Sequence, residues 1–70
     1  LQDVEKTVGK RISDLRLRKG ITQDDFANLS GLNRTHLYRI ESGKQSATLK
    51  TLKAIADALD VKIRDLVKDV

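Results

Sequence analysis

Two short amphipathic segments with almost no chain between them constrain this sequence more than any other feature. Thr22 is a helix-capping residue and Asp25, three positions on, can reach back to it in the manner of a capping box. Phe26, Ala27 and Leu29 then give the segment 23–30 a buried side. Ser30 and Gly31 stop it, because glycine adopts a left-handed conformation just past a helix end without steric cost. Only Leu32 stands before Asn33, a second capping residue. The segment 34–42 follows, with Leu37 and Ile40 on an inward face, until Gly43 closes it.

The flanking chain reads as helix too. Val8, Ile12 and Leu15 recur at spacings of four and three, which predicts a helix over 4–19 ended by Gly20. Lys44 to Ala47 form a polar loop. Thr48 then caps a strongly periodic helix over 49–59, whose Leu49, Leu52, Ile55, Ala56 and Leu59 make a continuous stripe and a central packing element. Ile63, Leu66, Val67 and Val70 predict a last short helix over 63–68, behind the weak cap Lys62. No internal repeat, low-complexity tract or alternating β-branched run interrupts this pattern. The expectation is an all-α fold, a compact bundle of five short helices forming one domain over 1–70. The tight glycine turn between the second and third helices is the supersecondary signature of a helix-turn-helix.

Composition narrows the chemistry. A chain of 70 residues encloses a single core. With no cysteine, no proline and no long apolar run, disulfides, metal–thiolate sites and membrane spans are excluded, and packing must hold the core together. Lys and Arg number 14 against 10 Asp and Glu, and 34% of residues are charged. The charged share of an average globular domain is about a quarter, so a polyanionic partner fits. The stretch Leu1-Gln2-Asp3 opens no basic and apolar leader, so no secretory signal is read and a cytoplasmic location is expected. Since the chain lacks methionine, Leu1 is not an initiator, and a processed or trimmed chain with further residues upstream is expected.

With Leu37 and Ile40 committed to the core, the helical period leaves Arg34, Thr35, His36, Tyr38 and Arg39 on the available sides of the third helix. A basic helix face alone is usually no more than a solvated surface; here the turn architecture favours a binding role. His36 is the only histidine, and no motif places a cysteine or serine nucleophile with it. No catalytic role, metal set or cofactor is expected. Tyr38 has two open readings, as a cover for the flank of its helix or as a hydroxyl donor to phosphate.

The stretch ITQDDFANLSGLNRTHLYRIESGK, Ile21 to Lys44, closely resembles the helix-turn-helix of the phage-repressor-like family, also called the Xre or Cro family. The resemblance continues through TLKAIADALDV to nearly the whole chain. Its marks are a glutamine opening the second helix, Ala27 where the two helices touch, Gly31 in the turn, buried Leu37 and Ile40, and Glu41 before a glycine. The resemblance implies a lambda-repressor-like DNA-binding domain whose third helix enters the major groove. It maps base reading onto Arg34, Thr35 and His36, with Arg39 one turn later. Arginine forks onto the O6 and N7 of guanine, and threonine exchanges hydrogen bonds or presses its methyl against thymine. Gln23 matches the family's backbone anchor, where a helix N-terminus offers free N–H groups to phosphate. Asn33 and Lys44 are further phosphate candidates, beside Tyr38. The family also pairs an arginine of the first helix with the glutamate late in the third, here Arg16 and Glu41, as a structural ion pair. Two departures stand out. Asp24 and Asp25 put negative charge near the phosphate anchor, read as dipole stabilisation and capping, and Asp60 stands where the family often has glycine.

The expected function is therefore sequence-specific transcriptional regulation by a homodimer on a palindromic operator, since pairing two copies doubles the reading length. In the terminal stripe of Ile63, Leu66, Val67 and Val70, part closes the core and the rest is the candidate dimer contact. Double-stranded DNA is the expected partner, with RNA polymerase a further candidate. Phage repressors, restriction–modification controllers and antitoxins share such domains, and a compact chain favours the stand-alone controller. The alternative from another class is a protein-interaction module on the same fold. Its mark would be an apolar third helix, whereas Arg34, Thr35, His36 and Arg39 are polar and basic.

Overall fold

The computed structural model describes Asp3 to Val70. Leu1 and Gln2, the first two residues of the 1–70 domain range and of the N-terminal leader reading, lie outside the described residues. Five helices follow in order, α1 Val4–Arg18, α2 Gln23–Ser30, α3 Arg34–Glu41, α4 Leu49–Leu59 and α5 Ile63–Val67, with no strand among the described residues. The molecule is the all-α, five-helix bundle of the expectation. Helices α1, α3 and α5 each end one residue early, because Lys19, Ser42 and Lys68 serve as their C-caps.

Local chemistry starts each helix. Asp3, Thr22, Asn33 and Thr48 each stand in extended conformation and accept a backbone N–H three residues on, at 3.2, 3.1, 2.7 and 3.1 Å. Each bond satisfies one of the donors that a helix N-terminus leaves unpaired. Lys62 has no oxygen to offer before α5. Its own N–H is instead taken by the Asp65 carboxylate at 3.0 Å, the backward half of a capping box. At the end of α4, Asp60 takes the left-handed conformation itself, with φ 57° and ψ 44°. The helix thus closes where the family often has glycine, and the chain turns into α5 without one.

Every helix contributes to one core: Val8 and Ile12, Phe26 and Ala27, Leu37 and Ile40, the four residues Leu52, Ile55, Ala56 and Leu59 of α4, and Leu66. Helix α4 packs against α1, α2 and α5, while α1 also packs against α3 and α5. Leu29, Leu49 and Val70 of the expected apolar faces are not in this core, and Leu15, Ile63 and Val67 pack half-buried against it. Leu29 is 63% exposed, because it lies about 110° around the helix from the Phe26 and Ala27 direction. Ser30 points that way instead and donates to the Phe26 carbonyl at 2.8 Å. Leu49 is 77% exposed; it opens α4 about 70° from the stripe that the later residues form.

Gly9 fixes how closely α1 and α3 approach. A Cβ there would collide with the Ile40 carbonyl oxygen and sit 2.7 Å from that of Glu41, so the last turn of α3 rests directly on the backbone of α1. Two residues further along α1, the Arg11 guanidinium donates to the Leu66 and Lys68 carbonyls, which pairs acceptors that the end of α5 would leave open.

Candidate nucleic-acid interface

The turn between α2 and α3 is built from a left-handed Gly31, φ 77°. The N–H groups of Gly31 and Leu32 both donate to the Ala27 carbonyl, at 2.9 and 3.1 Å. Nothing lies within 4 Å of the position a Gly31 Cβ would occupy, so it is the backbone conformation that calls for glycine and not crowding. Leu32 packs on the core, and Asn33 restarts the helix. Buried Ala27, Leu37 and Ile40 hold the two helices together. Helix α3 is thereby pinned by one face, with its other face outward.

That outward face gathers the base-reading candidates. Arg34, Thr35 and Arg39 are exposed, and His36 is half-buried. Arg34 stands at the first position of α3, where the helix dipole disfavours a cation. Its Nε lies 3.2 Å from the Asp24 carboxylate of α2, both side chains being 67% exposed. Asp24 therefore answers a charge on the neighbouring helix as well as the dipole of its own. Asn33 spends its side-chain oxygen on the cap, which leaves its amide N–H groups as donors suited to phosphate. Tyr38 is exposed, and the Lys44 ammonium sits 5.8 Å from its ring centroid, within cation–π reach. The fold thus brings two of the phosphate candidates together along the C-terminal half of α3.

Behind this face lies a hydrogen-bonded ion pair. Arg16 donates from Nε to Glu41 Oε2 at 2.9 Å and from Nη2 to Oε1 at 3.1 Å, and its Nη1 reaches the Ile21 carbonyl at 2.8 Å. Gln23 Nε2 adds a bond to Glu41 Oε1 at 3.2 Å. The Arg16 and Glu41 side chains are only 10% and 5% exposed. Every remaining polar valence there must be met inside the protein, and among the described residues no buried side-chain nitrogen or oxygen lacks a partner. The cluster joins α1, the connection to α2, α2 and the end of α3. Gln23 is thus held by Glu41 at the N-terminus of α2.

The sequence pattern of the helix-turn-helix family matches residues 12–66, from the middle of α1 into α5. The chain belongs to the helix-turn-helix family. It is 37% identical over 65 residues to the HTH-type transcriptional regulator y4dJ of Sinorhizobium fredii, covering 93% of this chain and 84% of that protein. Among solved structures, the restriction-modification controller protein C.AhdI from Aeromonas hydrophila superposes with a TM-score of 0.85 at 36% identity, covering 87% of this chain and 92% of that one. SinR, a master regulator for biofilm formation, solved in complex with DNA, gives a TM-score of 0.84 at 27% identity, over 87% of this chain and 98% of that one.

Within this helix-turn-helix chain, one dimer candidate is corrected. Leu66 is 0% exposed and belongs wholly to the core, so it offers no surface to a second copy. Ile63 and Val67 are half-buried against the same core, and Val70 is exposed. Sequence reasoning passed over Gly9 and Arg11 and gave Asp24 no partner. A glycine inside an amphipathic helix was the available signal for the first. Arg11 and Asp24 act across helices, through contacts that no spacing within one helix records. Among the described residues no group of three or more His, Cys, Asp or Glu is placed to hold a metal ion, and no helix is long and apolar enough to cross a membrane.

Proposed function

We propose that this helix-turn-helix protein is a sequence-specific transcriptional regulator that lays α3 in the major groove of a palindromic operator as a homodimer. The observation that carries the reading is the two-sided nature of α3. Its inner face is fixed by Leu37 and Ile40, while Arg34, Thr35, His36 and Arg39 stand on the rest of a rigid helix. The likeness to SinR, solved with DNA, supports the partner, and the likeness to C.AhdI supports a controller. Arg34, Thr35, His36 and Arg39 read base edges. Asn33, Tyr38, Lys44 and the Gln23 end of α2 bind phosphate, with Arg16 and Glu41 holding the reading helix in place. Ile63, Val67 and Val70 supply the contact between copies. The protein acts in the cytoplasm by binding and not by catalysis, and RNA polymerase is a partner where the operator adjoins a promoter.

Phosphate contacts set register and affinity, whereas base contacts set sequence preference. Lys44→Ala is therefore expected to weaken binding to every duplex alike and to lower the slope of log affinity against log salt by about one. Arg34→Ala is expected to cost about 1–3 kcal/mol on the operator and to relax preference at one base pair. Fluorescence anisotropy over a panel of singly substituted duplexes separates the two. Equal loss of selectivity in both variants would contradict the assignment.

A further inference from the structure

The Asp24–Arg34 pair has the chemistry of a specificity device. An exposed ion pair contributes little to folding, yet this one joins the two helices of the motif at the first residue of the proposed reading helix. The contact is an ion pair made on the Nε side of Arg34, with Nε 3.2 Å from Asp24 Oδ1. It leaves the two terminal nitrogens of the guanidinium as a fork. A guanine offers O6 and N7 to such a fork, and a single backbone phosphate competes for the same donors. A carboxylate paired with the guanidinium on its Nε side biases the directions the fork takes. It also repels phosphate oxygens from the place where Arg34 would otherwise bind them without regard to sequence. Asp24 suits this role because the N-terminal turn of α2 stabilises its charge, whereas the N-terminus of α3 disfavours that of Arg34.

We infer that Asp24 is a specificity-determining positioning residue, which aims Arg34 at a base and withholds it from the phosphate backbone. The inference rests on the proposed reading of DNA by α3. It predicts opposite movements on different duplexes. Asp24→Asn keeps size and the helix start but removes the charge. It should raise affinity for unrelated duplex severalfold, lower affinity for the operator, and shrink the ratio between them by about tenfold.

The experiment measures both affinities by anisotropy for wild type, Asp24→Asn, Arg34→Ala and the double variant, with circular dichroism to verify the fold. In the Arg34→Ala background, Asp24→Asn should no longer change preference at the base pair Arg34 reads, because the group it aims is gone. An operator-to-unrelated ratio within twofold of wild type in Asp24→Asn overturns the inference. So does an equal loss of preference with or without Arg34. If the wild type itself prefers no duplex, the base-reading proposal fails and this inference with it; a selective wild type with an indifferent Asp24→Asn removes this inference alone.

Discussion

Gly9 and Asp60 are the residues at which local preference and the fold oppose each other. A glycine inside a helix costs about 1 kcal/mol relative to alanine, so sequence logic favours replacing Gly9. The contact with the α3 carbonyls opposes this, since a single methyl would enter space held by backbone. Gly9→Ala is expected to destabilise the domain by about 3 kcal/mol, the overpacking cost outweighing the gain in propensity. Urea denaturation checks it, and an unchanged or higher midpoint would contradict the close approach. Asp60 is the reverse case, a side chain in the left-handed region with φ 57°. Asp60→Gly is expected to stabilise by about 0.5 kcal/mol, relief of the left-handed strain exceeding the entropy that glycine adds to the unfolded chain; the same denaturation series reads the sign. Sequence alone placed Asp60 at a family glycine without assigning its conformation, and gave Gly9 no role, because only the neighbouring helix explains it.

At the scale of the helices, much was legible because the signals are local. Thr22, Asn33 and Thr48 cap as their side-chain chemistry dictates, and Gly31 turns left-handed where the chain must reverse. The candidate base-reading residues stand on α3 because Leu37 and Ile40 orient that helix, a matter of period. Leu29 and Leu49 were misassigned for a related reason. Helices of eight and eleven residues each bury a narrow strip, and apolar character does not distinguish a residue at its centre from one well off it. The Asp24–Arg34 and Gln23–Glu41 contacts were illegible, since both cross between helices whose relative placement no single segment encodes. The crossing of α2 and α3 is itself testable. Ala27 is buried between them, and Ala27→Leu is expected to cost about 1–3 kcal/mol through overpacking. Thermal denaturation followed by circular dichroism measures it, and an unchanged melting temperature would refute the close crossing.

For the molecule as a whole, division of labour follows from packing. The four core residues of α4 and Leu66 of α5 secure the bundle, and the Arg16–Glu41 pair fixes α3 to α1. That pair need not add much net stability, because desolvation of two buried charges opposes their attraction; its geometry is what serves the interface. A domain of this size presents one reading helix, so discrimination across a whole operator calls for a second copy, which we propose docks through Ile63, Val67 and Val70. Binding-site selection from a random duplex pool at near-physiological salt reads out operator recognition by α3. Operator recognition by a dimer enriches a palindrome whose half-site centres lie about 10 base pairs apart, one helical turn. Weak retention without enrichment, vanishing as salt rises, would reduce the interaction to phosphate attraction and would contradict operator recognition by α3.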